Sequence, residues 1–147
     1  MSAPPPSAPR VPPGTGPRGA RLGRPATGAG SVASFPRRLL ALAVDWMAAA
    51  LVTQGTWPGL VYGSPASSAR VLTVFAVEVV VLTWLVQASF GQVVTRLRVE
   101  RVDGGRLGFV AAALRTLLVC LVIPPLVYDR DGRGLHDRAV GSVVVRR

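Results

Sequence analysis

The sequence has no lysine and no asparagine, a single cysteine and a single histidine. One cysteine, Cys120, excludes an internal disulfide, and within an apolar run it reads as a small filler. One histidine, His136, leaves no set of three or more ligands for a metal site of the histidine type. It also excludes the metal-dependent phosphohydrolases, which need further histidines. No nucleophile elbow is present for a hydrolase triad. The chain is therefore expected to be no enzyme, with no cofactor and no metal. The absence of lysine makes all 17 basic residues arginine. That is read as the coding bias of a GC-rich genome, which points to a bacterium, and not as arginine selected for phosphate chemistry.

Acidic residues are also few: seven against 17, for a net charge of +10 and a pI of about 11.7. Such a balance can signal nucleic acid. Here the arginines flank apolar runs, where they set topology and meet lipid headgroups. The expected partner is a bilayer with anionic headgroups, with no nucleic acid; any protein partner is left open. Residues 1–34 hold no acidic residue and little apolar periodicity, and are rich in proline, glycine, alanine and serine. They are expected to form a disordered tail. The first apolar run begins only after residue 37, which does not fit a cleaved signal peptide.

Half of the chain is hydrophobic, with a mean hydropathy of +0.42. The distribution is more informative than the total. Three runs, near residues 38–57, 71–90 and 108–128, approach the roughly 20 residues a helix needs to cross the hydrocarbon. The second run is dense in β-branched residues, as strands are, but its length favours a spanning helix. The third is interrupted by Pro124-Pro125, which break a helix; it either spans, or enters and returns with a kink. The positive-inside rule places the N-terminal tail, with its six arginines up to Arg38, and the loop after Phe90 in the cytoplasm. That loop alternates from Arg96 to Val102 and turns at Asp103-Gly104-Gly105, so it reads as a strand and turn. Residues 141–147 read as a second short strand. The two are expected to pair, with Val99 close to Val144.

Each run carries one ionisable residue: Asp45, Glu78 and Arg115. A charge at membrane depth is costly and needs a partner. Arg38 lies seven residues before Asp45, close to two helical turns, so both share a face. Asp45 and Arg115 fall at matched depth, roughly 10 Å from the cytoplasmic side by helical rise, and are expected to form an interhelical ion pair. Glu78 is placed near the outer leaflet, level with Gln54, which could hydrogen-bond it. Asp137, beside His136, is expected to cap or pair locally with Arg133, Arg138 or Arg96, holding the tail to the inner loop.

The stretch Arg38-Leu-Leu-Ala-Leu-Ala-Val-Asp45 resembles the opening motif of the RDD family of membrane proteins, named for one arginine and two aspartates. Phe90-Gly91-Gln92 through Val99 is similar to that family's Gly-Gln loop and following strand. Leu114-Arg115 is similar to a further recurring arginine, and Gly134-Leu135-His136-Asp137 through Val145 to the closing motif. The family often has lysine shortly after the Gly-Gln pair, where this chain has Thr95 and Arg96, and threonine where Ser142 stands. The resemblance covers residues 35–147 and makes Asp137 the second aspartate. It implies a helical multi-pass membrane domain. It implies no substrate, since the family's role is largely unassigned, although sodium/proton exchange has been described for some members.

The expectation is thus an all-α protein of the bacterial inner membrane with a cytoplasmic N-terminus. It would have two transmembrane helices, a third membrane-embedded segment and a short cytoplasmic strand pair. Two roles remain: a structural or partner-binding membrane component, or a homo-oligomeric ion transporter using Asp45.

Overall fold

A computed structural model describes residues 19–121, 129 and 131–147. Its frame is a pair of long helices, α1 (Phe35–Thr56) and α2 (Pro65–Val86), of 22 residues each. Each is about 33 Å long, and both are long and apolar enough to cross a membrane. Both begin after a serine with extended backbone and carry a proline in the first turn, where its missing N–H is harmless. At α2 the Ser64 hydroxyl also accepts from the Ser67 amide at 3.2 Å. The β-branched content of α2 does not prevent a helix, because the segment is packed along its length.

The two helices meet along ridges spaced every four residues. In α1 the buried positions are Ala41, Asp45, Ala49 and Thr53; in α2 they are Ser67, Val71, Phe75, Val79 and Thr83. Small residues on one side admit Phe75 from the other, and Ala49, Val71, Phe75 and Val79 form one apolar cluster. The opposite faces stay exposed, with Leu51, Val77 and Leu85 more than half accessible.

The second run does not continue as one helix to Phe90. Gln87 takes a left-handed conformation, φ 59°, and ends α2. Its side-chain amide donates to the Thr83 and Trp84 carbonyls, and to Leu107 O at 3.1 Å, while its Oε1 accepts from the Leu107 amide at 2.6 Å. The chain then doubles back. A reciprocal Ser89–Gln92 capping box starts a separate short helix, α3 (Phe90–Val94), which packs on α1.

Strands β1 (Leu97–Arg101) and β2 (Ser142–Arg146) pair antiparallel, and Val99 stands directly opposite Val144. The expected strand pair is present in the expected register. The N-terminal expectation needs correction. Residues 1–18 lie outside the described residues, but 19–33 fold onto the sheet. Ala33 N–H donates to Val144 O, Gly30 N–H to Arg146 O, and Arg146 N–H to Ser31 O, each at 2.9–3.0 Å. Val32 and Leu22 cover Val143 and Val145, and Arg24 pairs with Glu100 at 2.7 Å. A segment too poor in apolar residues to build a core is held here through backbone bonding to an open strand edge, which needs little side-chain burial.

In the third run, α4 (Phe109–Cys120) has 12 residues and packs on α2. At about 18 Å it is too short to cross a bilayer alone. Pro124 and Pro125, on which the expected kink rested, lie outside the described residues. The chain returns as α5 (Leu135–Ala139), which contacts α4 and β2.

Candidate functional site

Two carboxylates organise the interior. Asp137 sits in the first turn of α5 and has no accessible surface. Its Oδ2 accepts from Arg38 Nη1 at 3.0 Å, and its Oδ1 from Arg115 Nε at 2.8 Å and from the Ser142 hydroxyl at 3.0 Å. His136 Nε2 lies 3.5 Å from Oδ2. Arg38 also donates to the carbonyls of Ala33 and Val144. One carboxylate therefore ties α1, α4, α5 and β2, while Arg38 adds the N-terminal segment. Burial alone would raise the pKa of Asp137. The charges of Arg115, His136 and Arg38, with the hydrogen bond from Arg115, outweigh burial and hold it well below the usual carboxylate range. Asp137 is thus an anion shared by two arginines.

This overturns two expectations and extends a third. Arg115 does not pair with Asp45, because Asp137 takes its guanidinium. Arg38 does share the buried face of α1 with Asp45, but its charge also turns to Asp137. Arg133 and Arg138 are drawn instead to Asp129, at 3.3 and 3.9 Å, while Arg96 offers its carbonyl to the Arg147 amide. Matching depths along the apolar runs could not foresee this, since the deciding carboxylate arrives from α5, outside those runs.

Asp45 finds its partners in the doubled-back turn. Oδ2 accepts from the Ser89 hydroxyl at 2.6 Å, and Oδ1 from the Gly91 amide. Glycine is required at 91 for a steric reason: a Cβ there would run into the Ala41 carbonyl and the Asp45 carboxylate. Glu78 accepts from the neighbouring amide of Phe90 at 2.8 Å. Two carboxylates from two helices therefore hold successive N–H groups at the start of α3. Glu78 Oε2 is buried without a hydrogen-bond partner.

The expected Gln54–Glu78 hydrogen bond is absent. Because α2 begins at Pro65, Glu78 stands thirteen residues into it and only eight before Val86. Gln54 is two residues from the opposite end of the pair, at the end of α1. Ser89, Gly91, Gln87 and Ser142 were not anticipated as site residues. A Ser-x-x-Gln spacing at 89–92 is the one local signal that could have marked the break.

Among the described residues, no three of histidine, cysteine, aspartate and glutamate gather as a metal would require. The chain matches no protein-family model, no curated protein and no solved structure.

Proposed function

We propose that the chain is a multi-pass inner-membrane protein of the RDD type, and that it serves as a structural or partner-binding membrane component. The observation that carries this reading is the buried Arg38–Asp137–Arg115 cluster. It joins the start of α1 and the middle of α4 to a sheet and leaves its carboxylate enclosed, as a fastening would and a reacting centre would not. In this reading α1 and α2 cross the bilayer, and the arginine-bearing segments 19–38 and 96–106 face the cytoplasm. The pairing of β1 with β2 supports a third segment that enters and returns, since both strands lie in one layer. A reporter fused after Arg147, or labelling of a cysteine placed there in sealed vesicles, tests the arrangement. A cytoplasmic end is expected, and an external end would overturn it.

A second reading, ion movement by an oligomer with Asp45 as the exchanging group, is favoured by one observation. Asp45 and Glu78 converge on adjacent amides, and one Glu78 oxygen has no hydrogen bond. Asp45→Asn keeps the shape and removes the charge. A variant that still accumulates but loses sodium or proton flux in vesicles favours transport. A variant that fails to accumulate, beside a wild type without flux, favours the structural role.

A further inference from the structure

The last carbonyls of α2 hold two exposed arginines. Arg106 Nη2 donates to Leu85 O at 2.7 Å, and Arg147 Nη2 to Val86 O at 3.2 Å. Both guanidinium groups are thus held at the C-terminal end of α2, on successive carbonyls. Both are anchored from behind: Arg106 by the paired Gln87–Leu107 hydrogen bonds, and Arg147 by its amide on the Arg96 carbonyl. Capping a helix end is a sufficient use for one N–H of each arginine. A guanidinium has five, so both arginines, which are exposed, keep donors to spare, and among the described residues neither forms an ion pair.

An apolar surface begins at the same end of α2. Trp84, half-exposed, meets Phe109 edge-on at 5.6 Å between ring centres. One turn further along, Ala76 and Val80 face Val110, Ala113, Leu114 and Leu117 across a groove of about 470 Å³ between α2 and α4. The order along the helix is therefore paired cations, an aromatic collar, then an apolar channel. A phospholipid presents the same order as phosphate, glycerol region and acyl chain. We propose that Arg106 and Arg147 bind the phosphate of an anionic phospholipid whose acyl chain lies in the α2–α4 groove. Paired arginines suit a phosphate because their planar forks bind it in two-point fashion. An anionic lipid is selected because a zwitterionic one brings its own cation to the same place. The inference rests on the membrane placement proposed above.

The full-length protein in mild detergent, titrated with short-chain phosphatidylglycerol or phosphatidylcholine and followed by tryptophan emission and native mass spectrometry, tests this. Two arginines at a membrane surface predict roughly a thirtyfold preference for phosphatidylglycerol. Arg106→Gln with Arg147→Gln should abolish the preference, so that the two lipids bind alike, and Arg106→Lys with Arg147→Lys should retain part of it. Ala113→Phe fills the groove while leaving both arginines, and should weaken phosphatidylglycerol binding by itself. Equal affinity for the two lipids, or a preference surviving the double glutamine change, would overturn the proposal. So would inorganic phosphate binding as tightly as the lipid, which would mark a free-anion site. Alkaline extraction of membranes separates the two failures. A chain released by alkali defeats the membrane placement itself, whereas a retained chain without lipid preference defeats this site alone.

Discussion

Asp137→Asn is the most searching perturbation of this structure. The change is nearly isosteric, but it removes the one anion between Arg38 and Arg115 and can turn an N–H₂ donor toward them. Both arginine side chains are at least nine-tenths buried, so neither charge is released to water. Removing one member of a buried pair costs about 3–5 kcal/mol, because the remaining charge is left uncompensated. Two arginines depend on this carboxylate, which places the expected loss at the upper end, about 5 kcal/mol. Of a total stability of about 5–15 kcal/mol, between a third and the whole would then be lost. Chemical unfolding in mild detergent, followed by tryptophan emission, measures the loss. Adding Arg115→Gln should restore part of it, since one of the two stranded charges is then gone. A loss below about 1 kcal/mol for Asp137→Asn, or the absence of any rescue, would refute the reasoning. The same carboxylate fixes a pH dependence. Its folded pKa is depressed, so its contribution is complete above the unfolded value of about 4 and disappears as pH falls below that toward the folded pKa. Stability should therefore be level in this respect from pH 7 to 5. Below pH 4 it should decline by about 1.4 kcal/mol per pH unit from this group.

Three further outcomes are expected. Gly91→Ala should cost about 1–3 kcal/mol by forcing α3 off α1, seen as a lowered unfolding midpoint; an unchanged midpoint would mean that the close approach is not maintained. Cysteines at Val99 and Val144, in a Cys120→Ser background, should form a disulfide under mild oxidation, whereas cysteines at Arg98 and Val144, one register step apart, should not. Val32→Asp should open the cover over Val143 and Val145 at a cost of about 2 kcal/mol. The readout is faster amide exchange at Ala33 and Arg146, which bond across that edge, with slow exchange kept in the middle of α1.

The strand pair was legible because alternation and a glycine turn are local signals, and Val99 and Val144 are the centres of two short alternating or apolar stretches. The two long helices were legible from length alone. The break at Gln87 was not, since hydropathy runs through it and the left-handed residue is not a glycine. That break moved Ser89 and Gly91 against Asp45, and no count of residues along a straight helix could place them there. The early start of α2 at Pro65 shifted Glu78 away from Gln54 in the same manner. Residues 19–33 were misread because composition reports on burial, and their attachment is through backbone hydrogen bonds to β2. Arg38, Asp45, Arg115 and Asp137 stand out in the sequence as charges in or beside apolar runs and motifs. Their pairing depended on where α5 returns, which is a property of the whole chain.

The central strand of the small sheet is also the last of its three segments to be synthesised. Residues 30–33 and β1 both lean on β2, and Arg38 waits across 99 residues for Asp137. At ribosomal speeds that interval is roughly 5–20 s. During it, α1 and α2 can already stand side by side while two arginines and two strand edges remain unsatisfied. Closure of the molecule therefore waits until α5 and β2 have been made. A chain stopped before α5 would display the same open edges and stranded cations continuously, a ready mark by which it differs from a copy that carries α5 and β2.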